Sequence, residues 1–396
     1  MTSKLTLAAQ FEKIDNLLSQ TRQYWQILPF EHLVLPWLSN QPLCDFLHQL
    51  NEEAIEQLDS GDDVMLRRAI EPFVESSLDI IAPLSCDVVA SLDVPSWFKA
   101  GVKGRKWNQL EQFAAHIPQS KHTILEWCAG KGHLGRVLAY TQHRPVVSVE
   151  WQENLCNQGT TLANHYELNQ KFIHADVFDA TARTLLHSEQ HVVALHACGD
   201  LHTELLKQAC AAQTATISLA PCCYHLIGTP YYQALSKQGM CSDLRLNKRD
   251  LGLSMAQTVV ATQRERKHRA TEVAWRLAFD LLQRSLRQTD EYLPLPSIKQ
   301  SMLTGDFSDF CHWACEKKSL NLPQGIDLKE FERKGWQRKA LNGKIEIVTH
   351  AFRQLLERWL LLDRMLFLEE QGYRVSLQEF CKKSTTPRNA LIIAQR

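Results

Sequence analysis

Two hydrophobic periods divide the chain. Up to about residue 95, apolar positions recur at helical spacing: Phe11, Ile14, Leu17 and Leu18 form one stripe, and Leu43, Phe46, Leu47 and Leu50 another. Trp25, Phe30, Pro36 and Trp37 between them suit a packed aromatic corner joining helices. From residue 123 the pattern shortens to apolar or β-branched runs at 123–127, 145–149, 171–175, 191–195 and 214–219, separated by longer amphipathic stretches. This alternation predicts a parallel sheet with helices on both faces. After about residue 245 the chain turns helical and charged, and two last runs, 373–380 and 389–394, read as a closing hairpin. The expected fold class is therefore α/β, a Rossmann-like seven-stranded sheet, mostly parallel with an antiparallel last strand. Residues 96–396 would carry it, with a helical module at 1–95 and a helical insertion at about 245–345.

Composition narrows the function classes. The chain has 396 residues, and 44 Lys and Arg balance 44 Asp and Glu, so no global positive field draws it to nucleic acid. Any such binding must come from local basic clusters. The twelve cysteines are scattered, several inside apolar runs where cysteine acts as a small hydrophobe. No signal-like start and no apolar run of about eighteen residues is present. Free thiols in a reducing cytoplasm, without a membrane, are expected.

The first candidate site is a loop. After the first strand, residues 126–135 read Glu-Trp-Cys-Ala-Gly-Lys-Gly-His-Leu-Gly, a G-x-G-x-x-G at Gly130, Gly132 and Gly135 that opens a helix. Such a loop serves any ligand that approaches backbone at a helix N-terminus. Three acids around it decide the ligand. Glu126 ends the first strand, suited to a cofactor's amino group. Glu150 ends the second, where a carboxylate can accept both ribose hydroxyls. Asp176, with Val177 beside it, ends the third, placed for an adenine amino group. Acids ending three consecutive strands point to S-adenosylmethionine rather than a dinucleotide. Cys128, Lys131 and His196 complete the expected cofactor contacts, with Cys128 standing where this loop pattern ordinarily has its first glycine.

The fourth and fifth strands run into Leu-His-Ala-Cys-Gly-Asp-Leu-His at 195–202 and Ala-Pro-Cys-Cys-Tyr-His-Leu at 220–226. Polar side chains grouped at strand ends suit an active site. His196, Asp200 and His225 are candidate bases. Tyr224 could orient a planar substrate, and Cys222 or Cys223 could act as a covalent nucleophile. Convergence of Cys198, His202, Cys222, Cys223 and His225 on zinc is an alternative, as is a pair at Cys311 and Cys315. No pair of C-x-x-C motifs at finger spacing supports either, so no metal is expected.

These motifs, with Leu-Asp-Arg-Met-Leu-Phe-Leu-Glu at 362–369 and Thr-Pro-Arg-Asn at 386–389, resemble the methyltransferase-like family that contains the ribosomal-RNA-adenine-dimethylase-like proteins. Members typically show His-x-Cys-Gly-Asp-Leu, Cys-Cys-Tyr and Ser-Pro-Arg-Asn, so Thr386 is a conservative departure. The motifs are also similar to those of tRNA ribose methyltransferases that carry His-x-Cys-Gly and Cys-Cys-His-His. The resemblance covers about 100–235 and 350–396. It implies a class I fold and a cofactor site at Gly130, Gly132, Glu150 and Asp176, with His196, Cys198, Gly199, Asp200 and Cys222 through Tyr224 as signature residues. RNA is the expected acceptor, reached through basic clusters at 103–106, 245–249, 264–269 and 382–383, with Trp107, Tyr224, Tyr231 and Tyr232 available for base stacking. A protein or small-molecule acceptor, or a non-catalytic binding module, are the alternatives.

Overall fold

The computed structural model describes residues 5–87, 91–256 and 263–396. Each short apolar run forms a strand: β1 Thr123–Trp127, β2 Val146–Glu150, β3 Gln170–His174, β4 Gln190–Ala194, β5 Thr216–Leu219, β6 Arg374–Glu379 and β7 Ala390–Gln395. They make one sheet in the order β3-β2-β1-β4-β5-β7-β6. β7 runs antiparallel to both its neighbours, and the other pairings are parallel. That is the seven-stranded, mostly parallel, Rossmann-like sheet expected from the sequence. β4 and β5 are buried throughout, as strands covered on both faces must be. β3 runs one residue earlier than its apolar run suggests, which leaves Asp176 two residues beyond the strand rather than at its last position.

The chain divides into two compact units, residues 1–20, 80–259 and 353–396 in one, and 21–79 and 260–352 in the other. The boundaries differ from those read along the sequence. Helix α1 (Leu7–Gln20) belongs with the sheet because Phe11 packs on Trp359 at 5.1 Å and Asp15 accepts the Trp359 indole N–H at 2.8 Å. In the sheet unit, α2 (Gly104–Ala115), α3 (His133–Gln142), α4 (Glu153–His165) and α5 (Asp200–Ala211) alternate with the parallel strands. The second unit holds α6 (Gln263–Arg287), α7 (Phe307–Lys318) and α8 (Leu328–His350). Its aromatic corner is real: Trp25 and Trp37 are buried, and the Trp37 indole donates to the Gln23 carbonyl at 2.8 Å. Cys311 and Cys315 lie in this unit's apolar cluster, packed as hydrophobes. The last helix, α9 (Arg353–Glu370), returns to the sheet unit ahead of β6. No described helix is long and apolar enough to cross a membrane.

Strand order reverses between β1 and β4, and in open α/β sheets that reversal opens a crevice beyond the carboxyl ends of the strands. Two glycines shape its floor. Gly132 caps α3 with φ +65°, and a Cβ there would fall 2.4 Å from Phe172, so the helix could not sit as close to β3. Gly199 has φ +56°, and its Cβ would lie 2.0 Å from the Leu226 carbonyl oxygen. Only glycine lets the loops after β4 and β5 cross there.

Candidate active site

A cavity of about 470 Å³ opens at this crevice, within the range of cofactor pockets. Six of the residues singled out for the cofactor line it: Cys128, Gly130, Glu150, Asp176, Val177 and His196. Glu150 is buried but faces the cavity, and it also braces the glycine loop. Its Oε2 accepts the Gly130 N–H at 2.8 Å and its Oε1 the Gln152 N–H at 3.0 Å. A carboxylate oxygen has room for a second acceptor bond, so both remain able to take hydroxyls. A Cβ built on Gly130 meets no atom within 4 Å, so the space above it is cavity. Asp176 Oδ1 accepts the Phe178 N–H at 3.0 Å, which turns this loop over the far end. Val149, Leu155 and Val177 supply apolar wall. Two carboxylates, an open glycine and apolar sides fit a nucleoside with an amino-acid tail.

Six lining residues escaped the sequence reading: Val149, Trp151, Gln152, Leu155, Phe178 and Leu201. Trp151 and Phe178 are 64% and 54% exposed and stand beside Glu150 and Asp176. Their signal was present: a large aromatic one or two positions after a strand-ending acid has left the sheet and has no core to enter.

Three other residues do not reach the cavity. Lys131 is exposed on the loop, and Gly132 is spent on capping α3. Glu126 lies beneath that helix, buried, accepting from Ser148 Oγ at 2.6 Å and from the Leu134 and Gly135 backbone. Burial pushes its carboxyl up to about 7 against these donors. It holds α3 on β1 and β2, with Gln170 bridging Ser148 Oγ to the Gly132 carbonyl at 2.9 and 3.0 Å.

Cys128 is the departure that the structure explains. Its φ is +55°, the left-handed region that a side chain resists, which is why glycine suits the position. Replacing Cys128 with Gly is expected to raise stability by about 1 kcal/mol through relief of that strain, read as a shift in the denaturation midpoint. An unchanged or lower midpoint would show that the thiol's packing outweighs it.

Of the candidate catalytic residues, only His196 lines the cavity. Desolvation in this recess, and Lys106 nearby, hold its pKa below the ordinary value, so the imidazole is neutral and able to accept a proton. Asp200 instead clasps two loops, its Oδ2 accepting the Gly228 N–H at 2.7 Å while its own N–H reaches the Leu226 carbonyl. Tyr224 cannot stack on a substrate. Its ring is 1% exposed, with the Arg364 guanidinium 4.9 Å from its centroid, and burial drives its pKa well up. Tyr232 donates to Asp363 at 2.6 Å, and Trp107 is buried, so neither is a free stacking surface. Tyr231 is exposed, with Arg245 over its ring at 5.2 Å. His225 Nδ1 faces Met255 Sδ at 3.3 Å.

Cys198, Cys222 and Cys223 converge, with every pair of sulfurs within 4.8 Å. His202 does not join them. Its Nδ1 meets the Ala197 carbonyl at 3.1 Å and its Nε2 accepts from the Arg364 guanidinium at 2.8 and 2.9 Å. The Cys198 and Cys222 thiols, with His225 and Arg388 beyond them, hold the Cys223 thiol well below its ordinary value.

The sequence motif at 362–369 supplies the support beneath these strand ends. Arg364 also donates to Tyr232 Oη at 3.1 Å and to the Leu360 carbonyl at 2.6 Å. Asp363 accepts from the Leu235 and Ser236 N–H groups, both at 2.9 Å, and from Ser236 Oγ at 2.7 Å.

Residues 105–230 match a family model described as a methyltransferase domain. A curated relative from Xenopus laevis, a glutathione S-transferase C-terminal domain-containing protein, is 30% identical over 127 residues. That stretch is 32% of this chain and 20% of the relative, so the chain spans about a fifth of that protein's length. Among solved structures, M. capricolum TrmK in complex with S-adenosyl-homocysteine aligns with 28% of this chain and 49% of its own, at 14% identity and a TM-score of 0.25. Geranyl diphosphate C-methyltransferase from Streptomyces coelicolor aligns with 39% of this chain and 63% of its own, at 14% identity and a TM-score of 0.26. Neither similarity bears on the acceptor. The matched segment contains the glycine loop and every residue of the thiol cluster.

Proposed function

We propose that this chain transfers a methyl group from S-adenosylmethionine to RNA. The observation that carries the first half is the cavity beyond β1, β2 and β4, with Glu150 and Asp176 both facing it and Gly130 open above it. Glu150 would hold the ribose hydroxyls, while Asp176 and Phe178 would seat the adenine. The cofactor supplies an activated methyl group on a cationic sulfur. The chain's part is to align the acceptor with that carbon and take up the acceptor's proton. Neutral His196, at the cavity's β4 side, would take that proton.

Glu150→Ala is expected to weaken S-adenosylmethionine binding by about 1–3 kcal/mol, roughly tenfold or more, with the helical circular dichroism unchanged. Calorimetry checks it. An unchanged affinity sinks the cavity assignment.

The RNA half rests on the motif resemblance and on cations around the sheet unit. Lys103, Arg105 and Lys106 are exposed at the start of α2, and Lys382 at the β6–β7 turn. A groove of about 450 Å³ between 228–230 and 247–249 carries exposed Lys248 and Arg249 on one wall. Filter binding of total tRNA and ribosomal RNA at rising salt tests this. Affinity that falls linearly in log–log form supports phosphate contact. No binding at low salt removes RNA as acceptor while leaving the cofactor assignment intact.

A further inference from the structure

We propose that Cys198, Cys222 and Cys223 form a three-thiolate binding site for a soft divalent metal ion, zinc by chemical class. The sequence alone favoured no metal, because the spacing of these cysteines matches no finger. The fold supplies what spacing does not. The loops after β4 and β5 meet in a parallel bridge between Cys198 and Cys222, and the Gly199 N–H donates to the Cys222 carbonyl at 3.1 Å. That bridge sets the Cys198 and Cys222 sulfurs 3.4 Å apart, and Cys223 brings the third within 4.8 Å of both. Zinc–thiolate bonds of about 2.3 Å in a tetrahedral shell separate sulfurs by roughly 3.8 Å. The cluster is close to that size with no backbone movement. Among the described residues, no other three Cys, His, Asp or Glu side chains come this near one another.

The backbone shows the same convergence. Cys223 has φ +49°, an unfavourable conformation for a side-chain-bearing residue, and it is held there beside two other cysteines. Elsewhere cysteines such as Cys311 and Cys315 are buried among apolar neighbours. Cys198 and Cys223 are only half-buried, so an ion has a way in. Three sulfurs select a soft or borderline ion over magnesium or calcium. No histidine nitrogen joins the three sulfurs among the described residues, and His202 is committed to Arg364 and Ala197, which leaves the fourth tetrahedral position to solvent or a ligand. Binding releases the remaining thiol protons to solvent. The ion would bind whether or not the domain transfers methyl groups, although Cys198 lies only two residues beyond His196.

The test is metal analysis of the full-length chain, purified without a metal-affinity tag or chelator. About one equivalent of zinc per chain is expected. Cobalt added to chelator-stripped protein should give thiolate-to-metal absorption in the near ultraviolet. Cys222→Ser should lose both signals, and Cys241→Ser, at an exposed site, should keep them. Should Cys222→Ser fail to fold, alkylation mapped by peptide mass serves on the native chain: zinc should protect Cys198 and Cys223, and chelation should expose them. Glu150→Ala should bind zinc like the parent, which separates this site from the cofactor cavity. Zinc below a tenth of an equivalent together with no cobalt absorption overturns the proposal. So does an unreduced mass two hydrogens low with Cys198 and Cys222 joined, since that pair would then be a disulfide.

Discussion

Replacing Asp363 with Ala is expected to lower the thermal midpoint of the sheet unit by roughly 10 °C, the equivalent of about 3–5 kcal/mol. Asp363 is fully buried, and four donors end on its carboxylate: Tyr232 Oη, the Leu235 and Ser236 N–H groups and Ser236 Oγ. Alanine removes every acceptor at once and leaves those donors dry, the costly direction of a hydrogen-bond deletion. Arg364 next to it would also lose its neighbouring negative charge while still bound to His202. Asp363→Asn keeps the shape and one acceptor oxygen, so it should recover part of the loss. Differential scanning calorimetry of the three proteins decides. A midpoint within 2 °C of the parent for Asp363→Ala would mean that the network is not holding the strand ends.

That network explains a limit on what the sequence could disclose. The strands, their order and the glycine loop were legible because each rests on a local period or a short motif. That Glu150, Asp176 and His196 face the crevice was legible because a polar residue ending an apolar strand has few places to go. Asp200 and Tyr224 share that position, yet both are turned inward, one onto the Gly228 N–H and the other under Arg364. Nothing near them in sequence predicts this. Their partners come from residues 226–228 and from α9, more than a hundred positions away in the latter case. Glu126 lies away from the cavity for a related reason. The end of β1 suits a cofactor contact, but the close packing of α3 at Gly135 covers it. The helical regions at the two ends of the chain show the same limit. Their periods identify helices, while the partnership of α1 with α9 depends on contacts such as Phe11 with Trp359.

Acidification from pH 7 to pH 5 is expected to destabilise the sheet unit, and Glu126 to oppose that loss. His133, His191 and His202 are held below their ordinary pKa by burial first, His133 at about 4 and His191 at about 3. A group with a lowered folded pKa binds protons more readily once unfolded. Its contribution is present above the unfolded value of about 6.5 and is lost as pH falls. For His133 and His191 that amounts to about 2 kcal/mol each at pH 5. His202 has a structural reason as well, since Arg364 donates into the nitrogen a proton would need. Glu126 has the opposite sign. Its folded pKa of about 7 lies above its unfolded value, so its contribution is full below the usual carboxylate range and fades as pH rises towards 7. Urea denaturation at pH 5, 6, 7 and 8 should show the parent losing stability at the acid end. Glu126→Gln, which cannot take up the proton, should lose more steeply, by about 2–3 kcal/mol over that span. Parallel profiles for the two proteins would mean that Glu126 is already ionised beneath α3 at every pH tested, stabilised by Ser148 and the two backbone donors more than burial penalises it.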